Sequence, residues 1–135
     1  MSTSTVAVID NPLISVWAYP DRKMIHHVMK AYCYGDDFRA ALTRGVEAME
    51  RYQATKWLSD DRANGAVVPE DAEWSMQFWL PRARAAGWKH WGLVQPAKII
   101  GQLNMQRALK AFNDHGVNTR AFSDPDEAMR WLDAL

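Results

Sequence analysis

The sequence predicts an α/β fold: a mixed β-sheet with an N-terminal antiparallel hairpin or meander, followed by alternating helices and strands, four helices in all. Three observations carry this expectation. The chain has 135 residues, enough for one domain spanning residues 1–135 with a two- or three-layer core. Up to Tyr34 it holds runs of β-formers separated by turn residues. From Gly35 onward, apolar residues at helical spacing alternate with short β-branched or aromatic runs, an order that needs crossover connections and a parallel sheet segment.

In chain order, Val6–Ile9 is a short apolar strand stopped by Asp10-Asn11-Pro12. Leu13–Tyr19 is a second, stopped by Pro20-Asp21-Arg22. Met24–Tyr34 alternates, which sends the adjacent His26 and His27 to opposite faces. Asp36 is the expected N-cap of the first helix, and Phe38, Leu42, Val46 and Met49 form its apolar stripe to about Tyr52. Gly45, beside that stripe, allows close approach to the sheet. A strand through Thr55–Leu58 follows, then the turn-formers Ser59-Asp60-Asp61-Arg62 and Asn64-Gly65.

Pro69, Glu70 and Asp71 place a fixed φ and two acids at the start of the second helix. That helix carries Trp74, Met76, Phe78, Trp79, Leu80 and Ala83, more than one apolar face, so it is deeply buried or offers a second face to a partner. Pro81 inside it predicts a kink near Phe78 or a restart after Leu80, and Gly87 ends it. Trp88–Val94 is a strand. Lys98–His115 is a helix with Ile100, Leu103, Ala108, Ala111 and Phe112 along one side, stopped by Gly116. Asn118–Phe122 is the last strand. Asp124, Pro125 and Glu127 start the last helix with a capping-box pattern, and Ala128, Trp131, Leu132 and Leu135 form its stripe.

Sixteen basic and 16 acidic residues balance, with no long run of either sign, which argues against a nucleic-acid surface or a polybasic membrane anchor. The single cysteine, Cys33, excludes an internal disulfide and reads as a small buried hydrophobe. MSTSTVAVIDNP has neither the basic nor the apolar region of a secretory signal, and no apolar run approaches the roughly 20 residues that span a bilayer. A cytoplasmic protein is expected.

The central stretch is WLSDDRANGAVVPEDAEWSMQFWLPRARAAG, from Trp57 to Gly87. In an α/β protein the carboxyl end of a strand and the loop after it are where ligands sit. Seven tryptophans, at 17, 57, 74, 79, 88, 91 and 131, either fill the core or wall a small-molecule pocket. The acids Asp60, Asp61, Glu70, Asp71 and Glu73 surround the central loop, where turn, cap and dipole roles account for each. No zinc-type His or Cys pairing, Gly-x-Ser-x-Gly elbow, Gly-x-Gly-x-x-Gly or Walker loop occurs.

The phrases TKWLSDDRANGAVVPEDAEW, FWLPRARAAGWKHWGLVQP and NMQRALKAFNDHGVNTRAFSDPDEAMRWL, with the order of elements, resemble bacterial STAS-like (STAS/SEC14-type) proteins of the anti-sigma-factor-antagonist fold, over nearly all of the chain from about residue 20. That resemblance implies a regulatory or binding domain and no particular reaction. The antagonists switch by phosphorylation in an Asp-Ser-x-Gly motif. Here the matching strand end is Ser59-Asp60-Asp61-Arg62, where two acids would repel a phosphate on Ser59.

The expected function is a non-catalytic STAS-like binding or regulatory module acting through protein–protein contact, with a homodimer through the second-helix region. The alternative is a small carrier of an apolar or lipid-like ligand in a Trp-lined pocket. Contacts are expected from Trp57, Ser59, Asp60, Asp61, Arg62, Trp74, Phe78, Trp79 and Trp91. No catalytic, cofactor or metal residue is expected.

Overall fold

The computed structural model describes residues 5–64 and 67–135. The first four residues of the N-terminal stretch and Gly65 of the expected Asn64-Gly65 turn lie outside them. Among the described residues the chain runs β1 (Val6–Asp10), β2 (Ile14–Tyr19), β3 (Met24–Met29), α1 (Gly35–Tyr52) and β4 (Lys56–Asp60). Helix α2 follows as an α-helical start Pro69–Trp74, a π-helical middle Ser75–Trp79 and an α-helical end Leu80–Ala85. Then come β5 (His90–Val94), α3 (Ile99–Asp114), β6 (Asn118–Phe122) and α4 (Pro125–Asp133).

The six strands form one mixed sheet in the order β1-β2-β3-β4-β5-β6. β1, β2 and β3 pair antiparallel, and β3 to β6 pair parallel through the crossover helices, as the alternation of patterns predicts. Alternation along each strand divides the apolar residues between two faces. Ile25, Trp57, Trp91 and Leu93 join the larger core with residues of α1, α2 and α3. Met24, Leu58, Val94 and Phe122 join the smaller one with Ala128 and Leu132 of α4. Among the described residues no helix is long and apolar enough to cross a membrane.

Local features follow the chemistry of single residues. Pro81 has no N–H to return to the helix, and the turn before it widens until Leu80 N–H reaches Ser75 O, so the expected disturbance near Phe78 is a π-turn in a continuing helix. The second and third helices end at Gly87 and Gly116, with φ of +109° and +92°. Asp124 caps α4, accepting from Asp126 N–H at 3.0 Å.

Three expectations need correction. Asp36 does not cap α1; the cap position is Tyr34, which offers no side-chain bond, and Asp71 Oδ2 from α2 accepts the Gly35 N–H at 2.8 Å instead. Strand β3 stops at Met29 rather than Tyr34, because β2 begins at Ile14 and the N–H groups of Lys30 and Ala31 curl onto the Leu13 carbonyl. The side of α3 that faces inward is not the one with Ile100 and Leu103, which are 73% and 58% exposed. A Cβ on Gly101 would stand 2.8 Å from Pro96 Cβ, so the helix can approach that loop only through Gly101, and this contact turns Ile100 and Leu103 outward.

Candidate functional site

The period of two along β4 sends Trp57, Ser59 and Asp61 toward α1–α3 and Leu58 and Asp60 toward α4. Beside them, register pairs Ile25 with Trp57 and His27 with Ser59 on β3, and Trp57 with Trp91 on β5. Trp57, Trp79, Trp88, Trp91 and Phe112 form a continuous chain of rings. Successive centroids lie 5.3 Å (Trp57–Trp79), 5.1 Å (Trp79–Trp88), 5.8 Å (Trp88–Trp91) and 4.9 Å (Trp91–Phe112) apart. Edge-to-face and tilted contacts of this kind add stability beyond the area they bury. Trp57 lies so close to α1 that a Cβ on Gly45 would clash with the edge of its ring.

The rings do not fill the space between the sheet and the helices. A cavity of about 360 Å³ remains, with Trp57, Trp79, Trp88, Trp91 and Phe112 on its walls. Met29, Phe38 and Leu42 contribute from β3 and α1, Met76 from α2, and Met105 and Ala108 from α3.

Its polar groups are few and mostly committed. The Trp57 indole donates to His27 Nδ1 at 2.9 Å, and His27 Nε2 lies 2.7 Å from Asp61 Oδ1. An indole nitrogen only donates, so His27 Nδ1 accepts and Nε2 carries the proton given to Asp61. The ring therefore has no free lone pair for a substrate or for Ser59. Trp91 donates to Ser59 Oγ at 2.8 Å, and the Trp79 indole donates to the Leu42 carbonyl at 2.7 Å. Ser75 Oγ donates back to Asp71 O at 2.8 Å. Asn104 and Arg107, one turn apart on α3, also line the cavity, and neither has a side-chain hydrogen bond or ion pair among the described residues.

Of the residues expected at the site, the fold gathers Trp57, Ser59, Asp61, Trp79 and Trp91 on the cavity wall. It separates the rest. Asp60 turns to the opposite face and holds Arg62 bidentately, at 2.9 and 2.8 Å. Trp74 is half-buried under the Arg39 guanidinium, which sits 5.5 Å from the ring centroid, and Phe78 is 65% exposed. The acids around the loop disperse likewise: Asp71 is buried and pairs with Arg39 at 3.0 Å, and Glu73 accepts from Gln77. Cys33 is buried, and burial pushes its thiol up to about 11.

Beyond the tryptophans, sequence reasoning missed His27, Asn104, Met105, Arg107 and Phe112 as wall residues. For α3 a signal existed: counting back from Phe112 by four, three and four gives Ala108, Met105 and Gly101, a stripe in competition with the one through Ile100 and Leu103. For His27 none existed, because its partners lie on another strand. Comparison with known proteins finds no matching family model, no matching curated protein and no matching solved structure.

Proposed function

We propose that this chain is a non-catalytic binding domain that takes up a small, largely apolar ligand between the sheet and helices α1–α3. The observation that carries this reading is the aromatic-walled cavity of about 360 Å³. Its size falls in the range of about 300–1,000 Å³ that small-molecule sites occupy, and few-polar, aromatic walls are their usual lining. Packed cores keep few voids larger than a water molecule, so a space of this size under four tryptophans is unusual for a core alone. The committed state of both His27 nitrogens speaks for binding over acid–base chemistry. A STAS-like relationship is part of the proposal, supported by the sequence phrases given above.

The test uses the neutral apolar fluorophore N-phenyl-1-naphthylamine, excited through the wall tryptophans. Saturable binding of one probe per chain, abolished in a folded Ala108→Phe variant that fills the cavity, supports the reading. Absence of saturable binding refutes it. A second reading, a partner-binding module that self-associates, rests on the exposed Ile99, Ile100 and Leu103 of α3 and Phe78 of α2. Native mass spectrometry of freshly purified protein separates the two: a monomer carrying a reproducible small adduct favours the ligand, a bare dimer the partner.

A further inference from the structure

The polar groups on the cavity wall are not equivalent, and their differences point to the chemistry of the ligand. His27, Ser75 and the indole N–H groups of Trp57, Trp79 and Trp91 have protein partners. Among the described residues, Asp61 is the one carboxylate on the wall, and it already holds the His27 N–H. Arg107 is the one guanidinium there, and it makes no ion pair or side-chain hydrogen bond among the described residues. Arg22, Arg39, Arg62 and Arg82 each hold a carboxylate; Arg84 and Arg130 make no ion pair among the described residues either, and what sets Arg107 apart is its place on the cavity wall. Asn104 stands three residues before Arg107 on the same helix, and its side-chain amide is likewise uncommitted among the described residues. Residues three apart on a helix are neighbours on its surface, so the guanidinium fork and the amide can serve one group.

We infer that the ligand is an apolar carboxylic acid, its hydrocarbon body among the tryptophans and its carboxylate held by Arg107 with Asn104 beside it. This inference rests on the proposed ligand-binding role. The chemistry fits each part. A planar guanidinium matches a carboxylate bidentately, with charge-assisted bonds about twice as strong as neutral ones. The amide N–H adds a third donor. Arg107 is exposed, so the head group stays near water while the body is buried, and the anion avoids the desolvation cost of a deep position. The Asp61 carboxylate repels an anion, which directs the head group to the α3 side of the cavity.

The experiment displaces N-phenyl-1-naphthylamine with two acid–alcohol pairs near neutral pH: decanoate against decanol, and 1-naphthaleneacetate against 1-naphthaleneethanol. Each pair holds the apolar body constant and changes the head group, and the stronger-binding acid shows whether a straight chain or an aromatic body fits. At least one acid is expected to bind about tenfold more tightly than its alcohol, the worth of a partly solvated charged hydrogen-bond pair. Arg107→Gln, a surface substitution, should erase that ratio and leave the alcohol within about twofold, and added salt should weaken only the acid. Alcohols that bind as well as the acids, or a preference that survives in Arg107→Gln, overturn the inference while the cavity reading stands. If the neutral probe fails to bind as well, the cavity reading falls and takes the inference with it.

Discussion

The Trp57 indole N–H donates to His27 Nδ1 at 2.9 Å, a bond between β4 and β3 that decides which ring nitrogen carries the proton. The proton on Nε2 then goes to Asp61 at 2.7 Å, so three residues from two strands and a loop form one directed chain. ¹⁵N NMR of the imidazole should show a bare Nδ1 and a protonated Nε2. Trp57→Phe leaves Nδ1 without its donor and opens space beside Trp79, and should cost about 2–4 kcal/mol in urea unfolding.

Gly45 and Trp57 test how closely α1 approaches the sheet. In an open helix Gly→Ala gains about 1 kcal/mol from propensity. Here the added methyl meets the Trp57 ring, so overpacking should win and Gly45→Ala should lose about 2 kcal/mol. In the Trp57→Phe background the same substitution should become neutral or stabilising. A double-mutant cycle by denaturant unfolding measures that coupling, and additive effects would mean that the added methyl meets something other than the ring.

His26 faces away from the cavity, its Nδ1 2.8 Å from the Tyr19 hydroxyl and its buried Nε2 without a partner among the described residues. Burial, above all, draws its pKa from 6.5 to about 4, with the neighbouring His27 adding to the effect. Between those values the folded chain keeps the ring neutral while the unfolded chain binds a proton. The contribution is therefore whole above about pH 6.5 and is lost as the pH falls toward 4, by on the order of 3 kcal/mol. Thermal melts across that window should show a steeper decline for the wild type than for His26→Gln, since the carboxylates titrate in both.

Asp71 joins α2 to α1, accepting from Gly35 N–H at 2.8 Å and Arg39 Nε at 3.0 Å while itself only 1% exposed. Asp71→Asn keeps the shape but removes the charge and should cost about 1.5–3 kcal/mol. Glu73→Gln, exposed nearby on the same helix, should change stability by less than about 0.5 kcal/mol. Urea unfolding of the two variants side by side checks the contrast.

Much of the architecture was legible in the chain. Alternation and turn residues mark the leading strands, Pro125 and Asp124 mark the start of α4, and Pro81 marks the disturbance in α2. Each of these signals is local: a fixed φ, a missing N–H or a side-chain oxygen acts on neighbours a few residues away. The cap of α1 was not legible, because Asp71 reaches it from another helix. The rotation of α3 was not either. The stripe through Ile100 and Leu103 is the richer in apolar residues, and the space at Gly101 against Pro96 turns the other one inward.

The candidate site divides in the same way. Sequence alone determined the mixed sheet, its four helices and a supply of tryptophans large enough to wall a pocket, because secondary structure follows from periods and propensities that act over a few residues. Tertiary structure alone decided that four of those rings meet around an open space and that His27 is held between Trp57 and Asp61. It also brought Arg107 to the wall of that space with its guanidinium uncommitted among the described residues. The His27 bonds join residues 30 and 34 positions apart in the chain, and Arg107 lies 50 positions from Trp57, where no local preference of the backbone reaches and only packing brings side chains together.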